Sequence, residues 1–319
     1  MKTELFRCQL NHITKTLLAM TPAQRLTVQH VIQVSQPEIT INELIQPIFN
    51  SSPQCPHCHC AHFTKWGKAG SVQRYKCFSC HKTFNNKTKT PLAKLHRCEL
   101  WDKYAECMSL KLTLREAAAV CNINLKTSFL WRHRFLMAQS EHNHEKLSGI
   151  IEADEFFMAY SEKGSKQLKN NRKANKRGGQ MSKKHNESKV TILLSIDRSE
   201  HMVSHVLAAN TKAEIKSYLQ PYITTESVLC TDGAHAYEEI ANVTQCEHKR
   251  LISTKNRVID KVYHIQTVNG AIAHFKGWID VKMRGVATKY LSHYLAWFKE
   301  TRTKLDKQQI LAAAYQYQH

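Results

Sequence analysis

VTILLSI, Val190 to Ile196, is a seven-residue run with no charge and no amide. A bilayer span takes roughly 20 apolar residues, so this run has the length of one buried β-strand instead. Strand-like texture recurs around it in GIIEAD (149–154), HMVSHVL (201–207) and SVLCTD (227–232). Helical patterns follow: one starts near Thr211, a long one near Thr267, and a third occupies TKYLSHYLAWFKE (288–300). Three strand runs, then helix, strand and helix, predict an α/β fold with a mixed sheet flanked by helices.

Outside this block the chain divides by texture. Residues 1–50 read as a helical extension, with Thr21 as an N-cap and Pro22 at the first helical position of TPAQRLTVQHVIQ. Residues 51–90 are rich in Cys, His, Lys and aromatics, 91–145 return to short helices, 146–305 carry the α/β domain, and 306–319 read as a tail. Between the first two strands lies a basic insertion, 161–189, with ten Lys/Arg and two Glu. Such a composition stays flexible alone and suits an arm that tracks phosphates.

The chain has 46 Lys+Arg against 26 Asp+Glu, a net charge of +20, with 42% hydrophobic residues. That describes a globular protein with a polyanionic partner, nucleic acid ahead of an anionic membrane. No apolar run is long enough for a membrane span, and MKTELFRCQLNHITK interrupts any signal-peptide core with charges and amides. A cytoplasmic, reducing setting is expected, where the eleven cysteines favour metal over disulfides.

Cys55-x2-Cys58 is followed eighteen residues on by Cys77-x2-Cys80. Two such knuckles bring four thiolates to the corners of a tetrahedron about 2.3 Å from one structural Zn2+. FTKWGKAGSVQRYKC between them suits a hairpin, and Phe84 can pack beneath the second knuckle. The module has little core, so the metal supplies much of its folding energy. Lys65, Lys68, Arg74, Lys76 and Lys82 make it basic. Next, TLREAAAVCNINLKTSFLWRHRF reads as a helix-turn-helix, opened by a capping box of Thr113 and Glu116 and turning at NIN. Its second helix carries Lys126, Arg132, His133 and Arg134, of which Lys126, Arg132 and Arg134 are candidate DNA contacts.

Asp154 ends the first strand and Asp232 ends SVLCTD, positions where open α/β sheets place their sites. Asn269 lies 37 residues after Asp232, early in the long helix, with Lys276 two helical turns further on the same face. Two carboxylates and one further oxygen ligand can hold a pair of Mg2+ ions across a scissile phosphate.

IIEADEFFMAYSEKGSK, VLCTDGAHAY and HIQTVNGAIAHFKGWIDVKMRGVATKYLSHYLAWF together resemble the ISXO2-like insertion-sequence transposases, over the ribbon and residues 145 to 300. The resemblance implies an RNase H-like catalytic domain that cleaves and joins DNA with two Mg2+, Mn2+ serving as a substitute. It carries the two acids onto Asp154 and Asp232, the third position onto Asn269 in place of the Glu found in most of the family, and the associated lysine onto Lys276. Arg284 and Lys289 become further candidates for the DNA backbone.

An amide oxygen is a legitimate ligand for a hard cation. The missing charge is worth about 4 kcal/mol at 4 Å and an effective dielectric near 20, before desolvation. Strand alternation puts Glu152 on the face of Asp154 and turns Glu155 away, so Glu152 is expected to compensate. The resulting expectation is a bacterial, nucleoid-associated transposase. It binds terminal inverted repeats and target DNA as a homodimer or larger, frees 3′ ends and transfers strands. The alternative is a DNA-binding descendant that has lost catalysis.

Overall fold

The computed structural model describes residues 12–21, 24, 28, 41–70, 72–139, 146–165, 167, 168, 189–252, 257–302 and 307–316. The expected helix after Thr21 falls largely outside them, as does most of the basic insertion. Helix α1 spans 12–19 and α2 spans Ile41–Ser51. The ribbon follows as an antiparallel sheet in the order β1 (Phe63–Ala69), β2 (Val72–Cys77), β3 (Thr83–Asn85). Phe49 of α2 enters its small core, meeting Tyr75 with ring centroids 5.2 Å apart and Phe63 at 6.2 Å. Phe84 is buried there beside Cys55 and Cys77, as the sequence predicts.

Three helices come next: α3 (Trp101–Ser109), α4 (Leu114–Val120) and α5 (Leu125–Gln139). The capping box is present: Glu116 N–H donates to Thr113 Oγ1, and Thr113 N–H donates to the Glu116 carboxylate at 2.7 Å. The α/β block then contains β4 (Ile150–Ala159), β5 (Lys189–Asp197), β6 (Met202–Leu207), α6 (Lys212–Leu219), β7 (Val228–Thr231), α7 (His235–Thr244) and β8 (Glu247–Arg250). Helices α8 (Gln266–Gly277), α9 (Leu291–Arg302) and α10 (Lys307–Gln316) complete the described chain. Sequence patterning misses β8 because EHKR is a charged edge strand with no apolar alternation.

The five-stranded sheet has the order β6-β5-β4-β7-β8. β4, β5 and β6 form an antiparallel meander, whereas β7 and β8 run parallel to β4. The chain crosses over through α6 to lay β7 beside β4, because a parallel neighbour needs a long connection. The result is the RNase H-like mixed sheet. Strand β5, beside the central β4, is covered on both faces: Ile192, Leu194 and Ile196 join the core beneath α8 and α9, and Leu193 joins the core beneath α6 and α7. Continuous apolarity in VTILLSI therefore reflects burial on two sides.

The first of those cores also takes in Trp101, Tyr104, Trp131 and Phe135 from α3 and α5, so these helices pack directly against α9 and α10. The segment 306–319, read from sequence as a tail, holds α10. Its Ile310, Leu311, Ala314 and Tyr315 are buried, a helical i, i+1, i+4, i+5 stripe. No helix among the described residues is long and apolar enough to cross a membrane. Leu311→Ala should cost about 2–5 kcal/mol in denaturant unfolding.

Candidate active site and metal centre

The four ribbon cysteines converge, with all four ligand atoms within 4.8 Å of one another. Sγ–Sγ separations are 3.7 Å for Cys55–Cys80 and 3.6 Å for Cys58–Cys77. A tetrahedron of about 2.3 Å metal–sulfur bonds has edges of about 3.8 Å, so the cage fits Zn2+. His59 and His81 take left-handed φ values of 59° and 57°, turning each knuckle so that backbone N–H groups face the sulfurs. The backbone N–H of Cys80 pulls the Cys77 thiol down to about 6, toward the thiolate a metal requires.

Asp154 and Asp232 meet because of register. The parallel pairing Ile150↔Val228, Ile151↔Leu229 and Glu152↔Cys230, continued by two residues, sets Asp154 opposite Asp232. β7 ends at Thr231, and the chain turns through Gly233 at φ +94°. A Cβ there would sit 3.1 Å from the Arg250 Nε, and Arg250 donates to the Gly233 carbonyl at 3.1 Å, so the turn demands glycine. Burial, then the charges of Asp232 and Glu155, push the Asp154 carboxyl from its ordinary 3.8 up to about 6, while Lys276 pulls the other way. Asp154, Asp232 and Lys276 are therefore neighbours. Carboxylates that repel one another in a half-buried site fit a hard divalent cation.

Glu152 takes no part in that site. It shares the Asp154 face as expected, but it is only 1% exposed and its carboxylate is engaged elsewhere. Arg198 Nη1 lies 2.9 Å from Oε1, and the Val268 N–H donates to Oε2 at 2.9 Å. The expectation that Glu152 compensates for Asn269 is thus corrected: its charge is buried and paired with Arg198, and one of its oxygens is taken by the helix terminus. Glu155 was expected to point away, yet its charge acts on Asp154, and burial followed by the charge of Asp232 raises its own pKa. The hydroxyl of Tyr237, a fully buried side chain of α7, donates to Glu155 Oε1 at 2.5 Å. Alternation was right about the face. β4 runs five residues beyond Asp154 with β5 still paired to it, whereas β7 stops at Thr231, so past that level no described strand borders β4 on its β7 side.

α8 runs alongside β4. Val268 meets Glu152 at one end, and Phe275 stacks edge-on against Phe156 at the other, centroids 6.0 Å apart. Lys276 Nζ lies 5.2 Å from the Phe156 ring centroid, which places it beside Asp154. Asn269 follows Val268 on the anchored first turn and is exposed.

Of the candidate DNA contacts, Lys126, Arg284 and Lys289 are exposed and Arg134 is half-buried. Arg132 is corrected. It is fully buried, donates to the Leu112 carbonyl at 2.9 Å, and stacks on Trp297 at 4.5 Å, so it ties α5 to α9 and cannot enter a groove. Near the basic insertion, Lys163 Nζ donates to the carbonyls of Arg284 and Gly285 at 2.6 and 2.7 Å, and Thr288 N–H donates to the Ser161 carbonyl. The root of the arm is pinned to the segment bearing Arg284 and Lys289.

Two outcomes are expected. Treatment with a metal chelator, or Cys77→Ser, should open residues 55–85 to protease while the large sheet keeps its protection, as read by limited proteolysis with mass spectrometry. Asp154→Asn should raise the melting temperature of metal-free protein at pH 8, corresponding to about 1–2 kcal/mol after discounting for solvent screening. The sign follows from the raised pKa: the ionised group destabilises the fold above about 6, so the gain should fade as pH falls from 6 toward 4.

Residues 146–299 match the family model of the ISXO2-like transposase domain. A relative from Halobacterium salinarum, an uncharacterized protein in transposable element ISH50, is 24% identical over 274 residues, 83% of this chain and 90% of its own length. A solved pre-cleavage Mos1 transpososome aligns over 68% of this chain and 80% of that one, at 10% identity and a TM-score of 0.26, too slight a likeness to carry weight. The matched span begins just before β4, takes in both aspartates, Asn269 and Lys276, and ends within α9; over it the chain is similar to the ISXO2-like transposase domain.

Proposed function

We propose that the protein cleaves the ends of an insertion sequence and joins them to target DNA. Asp154, Asp232 and Asn269 would hold Mg2+ or Mn2+, and Lys276 would contact phosphate beside the scissile bond. The observation that carries this is the juxtaposition of Asp154 and Asp232 at the parallel β4–β7 junction, with Lys276 as their cation. When bound, a pair of such ions supplies Lewis-acid stabilisation and an activated oxygen nucleophile.

The chain's own groups do the rest. Lys276 stands where it can neutralise charge on a phosphate drawn between the carboxylates. Lys126 on α5, the arm rooted at Lys163, and Arg284 with Lys289 track the DNA backbone. Exposed Lys65, Trp66 and Lys68 do so on the ribbon. Acting on two element ends calls for two or more copies of the chain. The ribbon and helix-turn-helix would read the terminal inverted repeats.

The test is a cleavage and joining assay on labelled inverted-repeat DNA with Mg2+. Wild type should give cleaved and joined products, and Asp232→Asn should lose at least about 10³-fold in rate. Asn269→Ala should raise the Mg2+ requirement and lose less than Asp232→Asn. No product from wild type sinks the enzymatic proposal; an Asn269→Ala enzyme equal to wild type sinks the third ligand alone.

A further inference from the structure

Helix α8 lacks an N-cap of its own. The capping position is Ile265, which offers no side-chain acceptor, and His264 Nδ1 just before it takes only the Gln266 N–H, at 3.3 Å. The acceptor for the Val268 N–H comes from the neighbouring strand: Glu152 Oε2 takes it at 2.9 Å. A carboxylate at a helix N-terminus satisfies an orphan donor and complements the positive end of the helix dipole. Arg198 completes the device. It pairs with Glu152 Oε1 at 2.9 Å and donates to Thr267 Oγ1 at 2.9 Å and to the Val262 carbonyl at 3.0 Å. His264 Nδ1 stands 3.3 Å from the same carboxylate oxygen. One carboxylate and one guanidinium therefore strap residues 262–268 onto β4, two residues from Asp154.

We propose that Glu152 and Arg198 are positioning residues for Asn269. They fix the axial height and rotation of the first turn of α8, so that the next side chain along, Asn269, is presented to the Asp154–Asp232 pair. This inference rests on the proposed role of Asn269 as third ligand. The device suits an amide at that position. A carboxylate ligand is drawn to a cation by its charge, whereas a neutral amide gains much less and depends on being held in place. The geometry also separates positioning from coordination, because both oxygens of Glu152 are directed at the helix terminus and the arginine.

Two arms test it. In metal-free protein, hydrogen exchange of the Val268 amide should accelerate at least tenfold in Glu152→Gln and in Thr267→Val, while amides of β5 keep their protection. Thr267→Val removes one acceptor of Arg198 without stranding a buried charge, so it reports even where Glu152→Gln fails to fold. In the joining assay, Glu152→Gln or Thr267→Val should lower the rate about 10–100-fold in the wild-type background. The same change should cost less than about threefold in an Asn269→Ala background, since a residue acting through Asn269 has nothing left to position. Equal losses in both backgrounds, or unchanged exchange at Val268, overturn the proposal. A wild type that forms no product defeats the enzymatic proposal instead, and the exchange arm then decides the clamp by itself.

Discussion

A carboxylate buried in the middle of a sheet costs several kcal/mol unless a cation and hydrogen-bond donors surround it. Glu152 is such a carboxylate, and its neutralisation constrains three separate parts of the chain at once. The antiparallel register sets Glu152 opposite Ile196, so Arg198, two residues further along β5's direction and on the same side, emerges over it. The loop 262–264 must come close enough to share Arg198, and α8 must begin where its Val268 N–H can donate. Had any of these been displaced, the charge would be stranded. The position of α8 against the sheet is thus fixed by electrostatics at one end and by Phe156–Phe275 packing at the other.

That arrangement clarifies the amide at position 269. Asp154, Asp232 and Glu155 already act on one another, and Lys276 is the cation among the groups that shift Asp154. A fourth carboxylate at Asn269 would add its charge to a site where burial, and after it the charges of Asp232 and Glu155, already raise Asp154 to about 6. On the proposed function, Asn269 adds a donor oxygen with no further charge, while Glu155, held by Tyr237, keeps the local negative charge equal to that of three acids. The charge absent from α8 has its counterpart on β4.

Much of this was legible from residue pattern alone. The strand run before Asp232, the capping box at Thr113, the two Cys-x2-Cys knuckles and the helix beginning near Thr267 all follow from local chemistry, and local chemistry is what a sequence displays; the strand expected to end at Asp154 instead continues to Ala159, paired with β5 throughout. What escaped depends on register. Period-two alternation puts Glu152 and Asp154 on one face, but a shared face is not a shared site: two steps along β4 span about 7 Å, enough for one carboxylate to cap a helix and the next to face Asp232. Glu155 is held in the cluster by burial and by the hydroxyl of Tyr237, a partner on α7 that the sequence of β4 does not display. Arg132 looked like one basic residue among several on a helix; its burial between Tyr104 and Trp297 comes from α9, some 160 residues away in sequence.

Burial of Arg132 also bears on how DNA could be held. The second helix of the helix-turn-helix shares one core with α9, α10 and the sheet, so it is not a freely swinging module. His133 stacks on Tyr290 with centroids 3.9 Å apart, and burial together with nearby cations lowers its pKa to about 4, which keeps that seam uncharged at neutral pH. The C-terminal half of α5 is therefore spent on packing, and its N-terminal half, with Lys126 exposed, is what remains to face a groove. On the proposed function, a duplex seated there would be held at a fixed angle to Asp154 and Asp232. Recognition and cleavage would then be coupled through one shared core.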